Sequence, residues 1–341
     1  HGSRGLGDVY KRQFLYTLLF FHIPKTGVGK NSIEMTKIPA NSTLLEAAMA
    51  VSRKLLPRQS RLTPGWCAAI ASILEATARK PGNVNPENSF HDLSYDELCR
   101  VAIAIAPILD KSGTIPLGKT IRDAVDQSRL VTRSNANLGI IIAIAPLVAG
   151  STSPKSRLSA HDVDNVIEQC DAQDSLDIYA AIKRGAASSM GRRDKYDIQN
   201  SPPQSIRRAM QYAATTEPQD SIAGLWGSGY QSLWDNVVSD LQNHESHGTR
   251  WEQSIVFTAL SQLARTPDSL IIRRHGRQKA LQISAEAGAL LALPEQERSA
   301  ATKTFDWRLR QPCRINPGTT ADLVAAGLYV YLWNSYFHEL F

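Results

Sequence analysis

A carboxylate and two cations come together at one point of this chain. Glu75, Arg79 and Lys80 stand in the run Glu75–Ala76–Thr77–Ala78–Arg79–Lys80–Pro81–Gly82–Asn83–Val84. Upstream, Trp66, Ile70, Ile73 and Thr77 recur at helical spacing. This predicts an amphipathic helix from about Pro64 to Lys80, with Glu75 and Arg79 paired on its polar face. Pro81 disfavours helical geometry at Lys80 and Gly82 permits a turn, so the charges mark a helix exit beside Asn83 and Asn85. A carboxylate there can take a proton or steady positive charge, and the cations can neutralise phosphate. The plain alternative is a solvated ion pair at a helix stop.

Three further segments carry polar groups where helices begin. Ser134–Asn135–Ala136–Asn137 precedes the apolar run Leu138–Gly139–Ile140–Ile141–Ile142. Unpaired N–H groups at such a start suit phosphate or ribose oxygens, and capping by asparagine explains the same spacing equally well. In Asn316–Pro317–Gly318–Thr319–Thr320–Ala321–Asp322–Leu323, Thr319 and Asp322 have capping-box spacing, and Gly318 lets backbone approach a ligand. In Pro267–Asp268–Ser269–Leu270–Ile271–Ile272–Arg273–Arg274–His275–Gly276, Asp268 is placed either to cap a turn or to hold Arg273. Trp226–Gly227–Ser228–Gly229–Tyr230 offers aromatics for stacking on a flat ring or, more simply, for the core.

Taken in order, these segments resemble the triphosphoribosyl-dephospho-CoA synthase family. The opening E-A-T-A-R-K-P-G-N-V-N-P with F-H-D-L-S-Y-D-E-L, the S-N-A-N-L-G-I run, the P-D-S-L-I-I-R-R-H-G segment and N-P-G-T-T-A-D-L carry the likeness, which covers about residues 62–335. The family's second motif is closer to G-T-N-T-N-L-G, so Arg133, Ser134 and Ala136 depart from it while both asparagines remain. Arg274 stands at the family's usual lysine, keeping the charge with a different hydrogen-bond geometry.

The resemblance implies a reaction between ATP and 3′-dephospho-CoA. The acceptor ribose 2′-hydroxyl attacks the anomeric carbon of ATP, adenine leaves, and the triphosphate stays on the transferred ribose. A β-configured donor giving an α linkage is met most simply by one inverting displacement. Glu75 and Asp92 are then the expected catalytic carboxylates. Arg79, Lys80, Gly82, Asn83, Asn135, Asn137, Gly139, Asp268, Arg273, Arg274, Asn316, Gly318, Thr319 and Thr320 are the expected ATP and substrate contacts. Asp322 is the expected metal-side carboxylate for a magnesium ion bridging to the phosphates. Two other readings fit the same residues: an enzyme of this fold with a different acceptor, as in pterin-type cofactor synthesis, or a helical protein that binds nucleotide without catalysis. An ADP-ribosyl hydrolase is disfavoured, because no paired-aspartate motif is present.

The elements that must position these residues are helices. Apolar spacing predicts helices from about Leu44 to Pro57, from Asp92–Ser94 through Ile108, and at about 117–132, 138–149, 160–172, 174–184, 204–213, 219–242, 250–265, 277–291, 294–309 and 319–336. Ser94 and Glu97 are spaced as a capping box. Strand alternation is nearly absent, so the expected class is all-α: one large bundle-like domain, or two helical halves joined near 185–203, a long basic stretch whose character suggests a functional or mobile loop or that junction.

Composition sets the remaining limits. Of 341 residues, 43% are hydrophobic and 21% charged, as in ordinary globular chains. The net charge of +6 is half carried by residues 1–34, where Arg4, Lys11, Arg12, Lys25 and Lys30 face Asp8 and Glu34, so nothing points to nucleic acid as partner. Cys67, Cys99, Cys170 and Cys313 are scattered without a C-x-x-C pair, which argues against a disulfide framework or zinc site and for a cytoplasmic setting. The histidines show no metal-ligand spacing. Asp8–Val9–Tyr10–Lys11–Arg12–Gln13 matches the translated transposon end used in sequencing libraries, so residues 1–34 are expected to be non-native or upstream sequence, with the domain at 35–341. The apolar run Phe14–Ile23 is too short to span a bilayer, and no membrane partner is expected. Gly27–Val28–Gly29–Lys30 lacks the residues of a phosphate loop.

Overall fold

In the computed structural model, the described residues are 38–57, 62–134, 137–151, 157–186, 192–217 and 219–339, with side chains described to 335. The expectation for residues 1–34 therefore falls outside them. Ile38–Phe341 forms one compact unit, and helices on both sides of 185–203 enter the same core. Among the described residues the architecture is all-α, with isolated bridges at turns in place of any sheet.

The first helix, α1 (Leu44–Leu55), opens on a capping box in which Thr43 and Glu46 satisfy each other's backbone N–H groups. Helix α2 (Pro64–Thr77) starts behind Thr63 with proline in its first turn. It is not amphipathic, because α3 (Tyr95–Leu109) packs along one side and α15 (Gly318–Glu339) along another, and every residue from Gly65 to Thr77 is buried. The polar face expected for Glu75 does not exist. Helix α3 begins with the expected Ser94–Glu97 capping box.

Helices α4 (Leu117–Val131), α5 (Leu138–Gly150), α6 (Ala160–Glu168), α7 (Ala172–Ala186) and α8 (Ile206–Thr215) follow. Helix α5 is apolar on all sides and lies in the interior against α4, α6 and α15. Each aliphatic side chain buried there contributes roughly 1.5–3 kcal/mol.

The single helix expected at 219–242 is broken. Helix α9 (Ser221–Ser228) ends at Gly229 and Tyr230, both with positive φ. A π-helical turn (Leu233–Val238) then leads into α10 (Ser239–Ser246). Trp226 and Tyr230 are fully buried and donate to the carbonyls of Ile142 and Ala143 on α5, at 3.1 and 2.9 Å. They are core aromatics and offer no face to adenine.

Helices α11 (Trp251–Arg265), α12 (Ser269–His275), α13 (Arg277–Leu291) and α14 (Glu295–Arg310) lead to α15, which runs for 22 residues against α2, α5 and α11. Among the described residues no helix is long and apolar enough to cross a membrane.

Candidate active site

The three distant motifs meet at one cavity of about 280 Å³. The end of α2 and the following turn contribute Glu75 and Asn83, the start of α5 contributes Asn137 and Gly139, and α15 contributes Gly318, Thr319 and Asp322. Asp92, Arg273, Arg274 and Asn316 complete the sequence-derived residues on its wall. Asn135 lies outside the described residues.

Glu75 owes its position to Lys80. Helix α2 stops at Thr77, and the chain turns so that Lys80 Nζ comes to 2.9 Å from Glu75 Oε1. The same ammonium donates to the carbonyls of Glu75 and Ala78, so its three N–H groups are all taken inside the protein. At 1% exposure Lys80 does not reach the cavity, which corrects its assignment as a phosphate contact. Burial raises the Glu75 carboxyl above its ordinary value, against the charge and hydrogen bond of Lys80. Arg79 is likewise not Glu75's partner. Beyond the helix end it points outward and forms ion pairs with Glu252 and Glu87, at 2.7 and 2.9 Å.

The turn after Lys80 is clamped against the segment before α15. Gly82 has φ +76°, and a Cβ there would lie 2.7 Å from the Ile315 carbonyl. Asp306 accepts from the Gly82 N–H, and Arg310 bridges Asp306 to the Asn83 carbonyl. The Asn83 amide donates to Asn316 Oδ1 at 2.8 Å and to the Pro317 carbonyl. Gly82 thus serves chain packing behind the wall of the cavity.

The amino end of α15 is capped by another helix. Asp268 Oδ1 accepts from the N–H groups of Leu270 and Ile271, and its Oδ2 accepts from the N–H and hydroxyl of Thr320. One carboxylate therefore caps both α12 and α15, and the expected Thr319–Asp322 capping box is not formed. Asp268 and Thr320 stand behind the cavity wall, and Thr319 accepts from the Ser269 hydroxyl. Gly318 N–H donates to the Asn316 carbonyl. Asp220, not Asp268, holds Arg273, at 2.7 Å, while its other oxygen caps α9.

Relieved of capping, Asp322 has no hydrogen bond or ion pair among the described residues and lines the cavity. It faces α5 at Gly139, where a Cβ would lie 1.9 Å from Asp322 Oδ2, so only glycine fits. Burial, followed by the charges of Glu75 and Asp268, raises its carboxyl well above the usual range, with Arg273 opposing. Asn137 adopts φ +63° and makes no side-chain cap; its amide donates to the Leu98 carbonyl. The first amides of α5 consequently open on the cavity without a side-chain cap.

Arginines and carboxylates share the wall. Arg274 is exposed and forms no ion pair among the described residues. Arg314 pairs with Asp92 and lies 3.8 Å above the Phe90 ring. Burial would raise the Asp92 carboxyl, but the hydrogen bond and charge of Arg314 outweigh it and hold it below the ordinary value. Asp220, Arg314 and the segment Arg193–Ile198 also line the cavity. Asp220 and Arg314 act through Arg273 and Asp92, which are remote in sequence, so local spacing carries no signal of them, whereas Arg193–Ile198 falls in the basic stretch 185–203.

The family model described as CitG, ATP:dephospho-CoA triphosphoribosyl transferase, matches residues 61–340. No curated protein matches closely enough to count. A solved structure from Archaeoglobus fulgidus, provisionally named triphosphoribosyl-dephospho-CoA synthase, is 22% identical with a TM-score of 0.54. The match covers 69% of this chain and 98% of that one, and shows a shared fold. With most of its length matched by the family model and the motif segments gathered on one cavity, the chain belongs to the ATP:dephospho-CoA triphosphoribosyl transferase family.

Proposed function

We propose that the chain transfers the triphosphoribosyl group of ATP to the ribose 2′-hydroxyl of 3′-dephospho-CoA and releases adenine. The observation that carries this reading is the convergence on a single cavity of Glu75 with Asp322 and Arg274, the latter two without an ion pair among the described residues. A bond forms between the acceptor 2′-oxygen and the anomeric carbon as the bond from that carbon to adenine N9 breaks. The hydroxyl proton passes to the Glu75 carboxylate, and adenine leaves with the bonding pair and takes up a proton.

Glu75 suits this role because burial keeps its proton affinity above that of an exposed carboxylate. Its negative charge also favours the positive charge that builds on the ribose. Arg273, Arg274 and Arg314 are the cations placed to receive the triphosphate. Asp92, held at the rim by Arg314, orients that cation.

Magnesium fits one feature of this wall, the Asp322 carboxyl, which has no hydrogen bond among the described residues. Magnesium commonly takes one or two carboxylates together with substrate phosphates. Among the described residues no set of three acidic, histidine or cysteine side chains converges, so phosphate oxygens would supply most of its ligands. Bound there, the ion would offset phosphate charge.

The test is to incubate the protein with ATP, magnesium and dephospho-CoA and to measure free adenine. Adenine should appear in step with triphosphoribosyl-dephospho-CoA and only when dephospho-CoA is present. Adenine released equally without dephospho-CoA, or none released at all, would remove this reading.

A further inference from the structure

Beyond the motif residues, the cavity continues into a lobe that none of the motifs supplies. Ile182 on α7, Ile198, and Ile206 and Met210 on α8 form an apolar wall, all buried. Tyr196 and Asp197 stand on the same lobe. Tyr196 has φ +55°, a backbone conformation that a tyrosine rarely holds without a surrounding structure that enforces it. Here the Tyr179 hydroxyl donates to the Tyr196 carbonyl at 2.9 Å, and the Tyr196 ring packs edge-to-face with Tyr212, centroids 5.6 Å apart. With these contacts made, Tyr196 is still 38% exposed.

Asp197 is fixed beside it. One oxygen accepts from the Arg193 N–H and the other from the Gln199 N–H, at 2.6 and 2.8 Å. Each carboxylate oxygen can accept more than one hydrogen bond. These residues combine an exposed aromatic ring, an aliphatic wall and an anchored acceptor, and they share the cavity with Arg193, Arg273, Arg274 and Arg314.

We propose that this lobe is a purine site, in which an adenine ring packs on Tyr196 against the aliphatic wall and its exocyclic amine donates to Asp197. The inference rests on the proposed function for which nucleotides are at hand. A flat ring with an amine at one edge matches this wall, and a phosphate chain matches the arginines that line the same cavity. A flexible aliphatic amide chain would need several amide partners along its length, whereas the lobe presents one anchored carboxylate. Both ATP and dephospho-CoA contain adenine, so the source is decided by experiment.

Binding of ATP, of dephospho-CoA and of tripolyphosphate is measured separately by calorimetry, on the full chain and on Tyr196→Ala and Tyr196→Phe. Loss of a stacking ring should weaken adenine binding on the order of tenfold, while Tyr196→Phe keeps the ring and the affinity. A loss confined to ATP assigns the lobe to the donor's adenine, and one confined to dephospho-CoA assigns it to the acceptor's. Unchanged binding of both nucleotides in Tyr196→Ala overturns the proposal, as does an equal loss for tripolyphosphate, which has no base. The readout is binding and not turnover, so a protein that binds adenine through Tyr196 yet releases none would sink the transferase reading and leave this site standing.

Discussion

Lys80 Nζ lies 2.9 Å from Glu75 Oε1 with both side chains buried, so the cation serves the carboxylate and not a ligand. Removing one member of a buried pair leaves the other charged and uncompensated, at a cost of roughly 3–5 kcal/mol. Lys80→Met should lose stability on that scale in denaturant unfolding. The loss should depend on pH. Glu75 already holds its proton above the ordinary value, so the native state binds more protons than the unfolded chain and stability falls as pH rises. Without Lys80 that fall steepens, making the deficit smaller at low pH than at high pH. The double variant Glu75→Gln/Lys80→Met should recover much of the loss and its pH dependence. A deficit in Lys80→Met that is small and flat with pH would show that the pair is not coupled.

Gly139 and Asp322 form the crossing of α5 and α15 at the cavity. A methyl group at Gly139 would meet the Asp322 carboxylate, with the built Cβ only 1.9 Å from Oδ2. Gly139→Ala should therefore displace Asp322 and lower kcat/KM by about a hundredfold, the scale of a misplacement of roughly 1 Å in a reacting array. Asp322→Ala should be affected little further by adding Gly139→Ala. Additive losses in the double variant would mean that the glycine acts elsewhere.

How much of this was visible in the linear chain depends on the range of the forces involved. Helix positions follow from local spacing, and the capping box at Ser94–Glu97 formed as expected because its partners are three residues apart. The motif segments do meet, which helix-start chemistry made reasonable. Glu75 was misplaced on a polar face because solvent exposure of α2 is decided by α3 and α15, not by the residues of α2. The cap of α15 was assigned to Thr319 and Asp322 for the same reason: the residue that performs it, Asp268, comes from another helix start. Residues Arg193–Ile198 carry no helical periodicity and enter the site through tertiary packing alone.

Asp268 gathers four donors and joins two helix starts. Asp268→Ala would strand buried N–H groups of Ile271 and Thr320, each worth about 1–3 kcal/mol when left unsatisfied. The expected result is a large fall in melting temperature. Asp268→Asn retains one accepting oxygen and should lose less. If Asp268→Ala melts like the parent but binds ATP weakly, Asp268 is a ligand contact and the capping role is wrong.

Arg273 and Arg274 are adjacent yet differ in what their charges already do. Arg273 Nη1 donates to Asp220 at 2.7 Å, and its Nε is buried without a partner among the described residues. Arg274 is exposed on the cavity wall with no ion pair among the described residues. A free cation gives its full interaction to an arriving phosphate, whereas a paired one must share its donors. Arg274→Ala should weaken ATP binding about tenfold, the loss of one charge-assisted contact near 1.4 kcal/mol, with little change in melting temperature. Arg273→Ala should weaken ATP binding and also lower stability, because it leaves Asp220 without its cation at the start of α9. Calorimetric titration with ATP and thermal melts on both variants separate the two effects. Unchanged ATP affinity in Arg274→Ala would show that the triphosphate lies elsewhere on the cavity wall.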